Sequence, residues 1–153
     1  VVIQQLPSKE DIFGFLSAHQ MGITQLSISY CNQLVNTKVA RDAIGISLDE
    51  VDGPSDDANA KTVAAWDNDF IDPMMTASLN TNLTVQPNAA DVKAQIHHLL
   101  FTDADGIAEI NATDNPDPDG LSRCAGGCPN GTTALAAKAA CAAILGSAAV
   151  TLQ

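Results

Sequence analysis

Apolar residues recur along the first forty positions at helical spacing. Ile12, Leu16, His19, Ile23, Leu26, Tyr30 and Leu34 are separated by four, three, four, three, four and four residues, which follows one face of a 3.6-residue period. Pro7-Ser8-Lys9-Glu10-Asp11 opens that run: Ser8 can cap a helix, and Asp11 at the third helical position can answer it. The pattern predicts a helix from there to about Val35, with the stripe as its core face. On roughly the opposite side Gly14, Ala18 and Gly22 recur every four residues. A second helix can approach closely there if that side too is covered, which would make the first helix central to a bundle.

Beyond Asn36 the periodicity weakens. Lys38 to Leu48 reads as a short helix interrupted by Gly45, and Asp49 to Asp57 as an acidic loop broken by Gly53-Pro54. A second long helix is expected from about Ala58, carrying Val63, Trp66, Phe70 and Ile71. Asp72-Pro73 then kinks or restarts it, because proline suits the first helical position after an Asp cap and is costly in a helix interior. Met74, Met75 and Leu79 read as buried. A third helix opens at Asn88, with Asp91 as capping partner, and continues through Val92, Ile96, Leu99, Leu100 and Phe101.

Thr102 to Gly131 has no periodicity, but it holds five Gly, three Pro and the acids Asp103, Asp105, Glu109, Asp114, Asp117 and Asp119. A loop this long is uncommon in a compact domain unless it is functional, disordered or pinned, and Cys124 and Cys128 are available to pin it. The last helix reads from about Thr132 to Val150. It is apolar nearly all round, with Lys138 its single charge, so most of its surface is expected to be buried. The expected fold is all-α: a single helical domain over residues 1–153, a bundle of about four main helices with a long acidic loop before the last one.

Composition narrows what such a fold can do. Alanine stands at 24 positions and aromatics number six, which suits helices packed through small side chains better than a sheet. Seven basic against 18 acidic residues give a net charge of -11, and this argues against nucleic acid and anionic membrane surfaces, which need basic patches. Charged residues are 16% and apolar residues 46% of the chain, so it is not an acidic disordered tail. The last helix is long enough to cross a bilayer. It is mostly alanine and carries Lys138 and Cys141, so a bundle core or subunit interface fits it better than a membrane span.

Four cysteines in a short chain rich in Asn, Asp and Thr read as two disulfides, which places the protein outside the reducing cytosol. Cys124 and Cys128 enclose three residues where a c-type haem or a thioredoxin-like pair needs two, and Pro129 stands where the haem ligand His belongs. A structural bridge remains, and Gly126-Gly127 lets so small a ring close. Of the three possible connectivities, Cys124–Cys128 with Cys31–Cys141 is favoured, the second stapling the first helix to the last.

The acidic loop holds the best candidate for a metal site. Asn115, Asp117 and Asp119 followed by Gly120 reproduce the first half of a calcium loop, where alternate oxygen ligands converge before a glycine turn. The bidentate Glu of the second half is missing, its place being taken by Gly126. Asp103 and Asp105, with Glu109, form a poorer second cluster, and the alternative is a solvated run of turn formers. His97 and His98 are adjacent on a helix and project about 100° apart, so they do not share one ion. His19 lies in the core stripe, and Met21, Met74 and Met75 are possible soft ligands. No P-loop, GxGxxG, GxSxG or HExxH motif is present, so the sequence predicts no enzyme. Asn82, Asn111 and Asn130 open glycosylation acceptor triplets, which matter only in a host with that machinery.

The segments FGFLSAHQMGITQLSISYCNQLV, Phe13 to Val35, and ACAAILGSAAVTLQ, Ala140 to Gln153, resemble stretches of large secreted proteins of marine gammaproteobacteria that also carry laminin-G-like domains. The resemblance covers the first helix, the Asp72-Pro73 region, the Cys124–Cys128 loop and the last helix. It implies export, disulfides and attachment to an extracellular multidomain protein, and no reaction. Gly45 to Ala60 and Asp103 to Asp119 depart from it as insertions. The chain also begins inside an apolar segment (Val1, Val2, Ile3, Leu6), as a fragment or subunit of a longer secreted polypeptide would. The expected role is a structural or interaction module of a secreted surface protein or extracellular assembly. It would lie outside the cell, on its surface or in the periplasm, with other subunits, neighbouring domains or a second copy as partners. The alternative is an extracellular domain that binds calcium, another metal or a small ligand.

Overall fold

The computed structural model describes residues 9–52, 58, 61–79, 88–101, 120–124 and 128–150, with the backbone alone for 9–19, 50 and 148–150. Every regular element among them is helical: α1 Lys9–Asn36, α2 Lys38–Ala43, α3 Asp49–Asp52, α4 Val63–Trp66, a π-helical turn Asp67–Ile71, α5 Asp72–Ser78, α6 Ala89–Phe101 and α7 Thr132–Val150. The expected all-α class is thus what the described residues show. α7 has the bounds its apolar run predicts.

Local chemistry accounts for most of the boundaries. α2 ends in a Schellman motif: the Ile46 N–H donates to the Arg41 carbonyl at 3.0 Å and the Gly45 N–H to the Asp42 carbonyl at 3.2 Å. Gly45 can close that turn because its φ of 79° lies where side chains clash. The Thr62 hydroxyl accepts the Ala65 N–H at 3.1 Å and opens α4 at Val63, five residues later than the expected start at about Ala58. Asn88 Oδ1 accepts the Ala90 N–H at 2.9 Å and opens α6. Asp72-Pro73 neither simply kinks nor restarts the second expected helix, because the chain widens into the π turn just before the proline and continues as α5.

Two expectations about burial are corrected. In α1 the buried line is Ser27, Cys31, Leu34 and Val35, whereas Leu26 and Tyr30, members of the predicted core stripe, are exposed. The disulfide between Cys31 and Cys141, with Cα atoms 5.8 Å apart, turns the Cys31 side of α1 toward α7 and leaves the Leu26–Tyr30 side outward. Gly22 is also exposed, with open space where a side chain would stand, so no helix among the described residues closes on it. The hub is α7, which packs against α1, α3, α5 and α6 through the small buried residues Ala136, Ala137 and Ala140. Even so, α7 is not covered all round, since Leu135 is 67% exposed.

The remaining core comes from Ile46, Leu48, Trp66, Phe70, Ile71, Met74, Met75, Val92, Ile96, Leu100 and Phe101. Trp66 meets Phe70 and Phe101 edge to face, with ring centroids 6.1 and 6.4 Å apart, and such pairs add about 0.5–1.5 kcal/mol each beyond area burial. Met74 and Met75 are buried, as read from the sequence, and Leu79 packs half-buried against them. Part of the expected acidic loop, Asp49–Asp52, is the helical turn α3. Its Asp52 pairs with the buried Arg41 guanidinium, which also donates to the Val35 carbonyl.

Candidate functional site: an uncharged helical face

From Ile12 to Thr37 the sequence contains no Asp, Glu, Lys or Arg, and α7 contains only Lys138. These are the two helices joined by the Cys31–Cys141 bridge. In a protein of net charge -11, the acids are therefore carried elsewhere. Leu135, Ala139 and Ala142 are spaced four and three, so they share one line of α7, opposite the buried line of Ala137, Ala140, Cys141 and Ile144. Beside that line runs an open groove of about 420 Å³, lined by Gln25, Ile28, Ser29 and Asn32 of α1 and by Lys138, Ala139 and Ala142 of α7.

Ile28 is 54% exposed at the groove, and Met21, seven residues earlier and so on the same line of α1, is 65% exposed. Leu26 and Tyr30 form a second exposed strip on the other side of the buried Ser27–Cys31 line. Single exposed apolar residues are ordinary on protein surfaces, and what singles out this face is that Ile28 opens onto an apolar groove between two helices. Lys138 is half-buried at the groove edge and forms none of the ion pairs seen among the described residues.

A second polar constellation joins α6 to the broken helix. His97 Nε2 lies 2.6 Å from Asp67 Oδ1, and Lys93 Nζ lies 3.1 Å from Asp67 Oδ2 and 2.7 Å from Asp72 Oδ1. Burial works against the Lys93 ammonium, but its hydrogen bonds to Asp72 and Asp67 and the charges of both acids outweigh it and hold its pKa above that of an ordinary lysine. This arrangement ties three elements together. The neighbouring His98 is exposed, so the two histidines face different surroundings.

Two further buried cations escaped the sequence reading. Lys61 pairs with Asp69, and Arg123 lies 5.0 Å above the Phe101 ring while donating to the Ala58 carbonyl at 3.1 Å. With Arg41, three of the six basic side chains among the described residues are thus buried. Nothing in their local sequence signals burial, because the partners that make it possible come from other segments of the chain. Arg123 also helps anchor the end of the acidic segment, where the Leu121 and Ser122 N–H groups donate to the Leu99 and Leu100 carbonyls.

Cys124 and Cys128 form the second bridge, with Cα atoms 5.0 Å apart, so both favoured pairings are present. Two disulfides belong to an oxidising, non-cytoplasmic environment. Asn115, Asp117 and Asp119, the candidate calcium ligands, lie outside the described residues, as do Asp103, Asp105, Glu109 and the side chain of His19. Among the described residues no group of three or more His, Cys, Asp or Glu side chains is placed to hold a metal ion, and no helix is long and apolar enough to cross a membrane. Met74 and Met75 are core residues, and Met21 is exposed.

The chain matches no protein-family model, no curated protein and no solved structure.

Proposed function

We propose that this protein is a structural interaction module of a secreted surface protein or extracellular assembly, acting by docking and not by catalysis. The observation that carries the proposal is the groove between α1 and α7. Exposed Ile28 and the half-buried Ala139 and Ala142 line it, exposed Leu135 continues the Ala139 line of α7 one turn earlier, and Lys138 is the one charged residue of its lining. The occupant that fits is an apolar helical segment of another subunit or neighbouring domain, laid into the groove with a carboxylate opposite Lys138. Apolar burial supplies most of the affinity in that mode, and a single charge pair sets the register. The paired disulfides and the resemblance to secreted multidomain proteins support an extracellular setting.

A photo-cross-linking residue at position 135, compared with one at the still more exposed Val39 of α2, tests this in the native assembly. The expected result is a cross-link from position 135 to an apolar, acid-bearing helical segment, lost in Lys138→Glu and absent from position 39. If position 135 captures nothing beyond the control, and light scattering finds a monomer at high concentration, the proposal is overturned.

A further inference from the structure

We propose that the Cys124–Cys128 disulfide is a thiol-exchange site, open to a dithiol reductant in the folded protein, whereas Cys31–Cys141 is a closed structural staple. The two bridges differ in access. Cys31 and Cys141 are both 0% exposed, sealed between α1 and α7, while Cys124 and Cys128 are each half-buried beside the exposed Pro129-Asn130 turn. Exchange needs an attacking thiolate to reach a sulfur, so access sets which bond reacts.

The fold is also built to survive the loss of this bond. On one side, Ser122 donates from both its N–H and its hydroxyl to the Leu100 carbonyl, at 3.1 and 2.8 Å. Arg123 is held by the Ala58 carbonyl. On the other side, the Thr132 N–H and hydroxyl both donate to the Pro129 carbonyl, at 3.2 and 2.8 Å, and α7 is held by the Cys31–Cys141 bond. The bridge spans a sequence separation of 4 against 110 for the staple, so opening it releases little chain. The Cys124–Cys128 bond is therefore a local latch between the anchored Gly120–Arg123 turn and the start of α7.

The chemistry balances with a dithiol as co-reactant. One of its thiolates attacks a cysteine sulfur and forms a mixed disulfide; the Cys124–Cys128 bond breaks, and the other cysteine leaves as a thiolate and takes up a proton. The reductant's second thiol, losing its proton, attacks the mixed bond and departs with its partner as a disulfide. The protein gains two electrons and two protons and holds two thiols.

Native protein is incubated with increasing dithiothreitol, quenched with an alkylating reagent and mapped by peptide mass. The expected result is a plateau of two alkylated thiols, both at Cys124 and Cys128, with the helical circular dichroism unchanged; Cys31 and Cys141 label only when denaturant is added. The double variant Cys124→Ser/Cys128→Ser is expected to keep that spectrum and to show no thiol labelling under the same native conditions. Four thiols labelling together, Cys31 or Cys141 labelling first, or no labelling before unfolding would each overturn the assignment.

Discussion

The backbone N–H of Ser47 donates at 2.8 Å to the carbonyl of Asp69, the acceptor that residue 73 would serve in an α-helix and that Pro73 cannot. The proline thus frees an acceptor in the middle of a helical run, and the segment leaving α2 supplies the donor. That one bond, made between buried Ile46 and Leu48, connects the segment after α2 to the π turn and helps the helical run tolerate its proline. Ser47→Pro is expected to cost about 1–3 kcal/mol, the penalty of stranding such an acceptor. Ser47→Ala keeps the N–H of an exposed residue and is expected to stay within about 0.5 kcal/mol. Urea unfolding of both variants separates the backbone bond from the side chain.

The two faces of α7 give opposite responses to the same substitution. Ala140 is fully buried, so Ala140→Leu overpacks the core and is expected to cost about 1–3 kcal/mol. Ala139 lines the open groove, so Ala139→Leu is expected to change stability by less than about 0.5 kcal/mol while weakening partner docking by filling the groove. Thermal melts measure the first effect and a binding assay the second.

The Lys93 network predicts a pH dependence with a definite sign. Its folded-state pKa is raised by Asp72 and Asp67, so its contribution is fully present below the unfolded-state value of about 10.4 and is lost as pH rises through the folded-state value. Lys93→Met is expected to destabilise the protein by up to about 1 kcal/mol at neutral pH, because the side chain is partly solvent-screened. The gap from the native sequence should narrow above about pH 10.5. Chemical unfolding at neutral pH and at about pH 11 checks it; a gap that stays constant would remove the ion pairs as its cause.

For the Asn115–Asp119 segment the calcium proposal rests on the sequence. Asn115, Asp117 and Asp119, with Asp114 or Glu109, would bring several acids together, and their repulsion favours a bound cation. Extracellular modules bind calcium at about 0.1–1 mM, so saturation is expected to raise the melting temperature by several degrees over EDTA. Asp117→Ala and Asp119→Ala should each abolish the rise. Equal melting temperatures for the native sequence in calcium and in EDTA would leave the segment a solvated connection.

Local signals made much of this molecule legible before any coordinates. Thr132 to Val150 declares α7 by a long alanine-rich apolar run, Gly45 stops α2 by its tolerance of positive φ, and four cysteines at these spacings suggested their own pairing. Each of these depends on interactions within a turn or two of chain, or on covalent chemistry with few alternatives. The orientation of α1 is different in kind. Leu26 and Tyr30 continue an apolar period as well as any core residues do, and Leu34 belongs to both possible stripes. Only the docking of α7 through Cys31 decided that Ser27 and Val35 turn inward and that the Leu26–Tyr30 strip faces out. The burial of Arg41, Lys61 and Arg123 likewise required partners brought in by folding: Asp52, Asp69, the Val35 and Ala58 carbonyls and the Phe101 ring. Periodicity measures how apolar a face is, whereas burial depends on which other face arrives to cover it, and that information lies in the tertiary contacts.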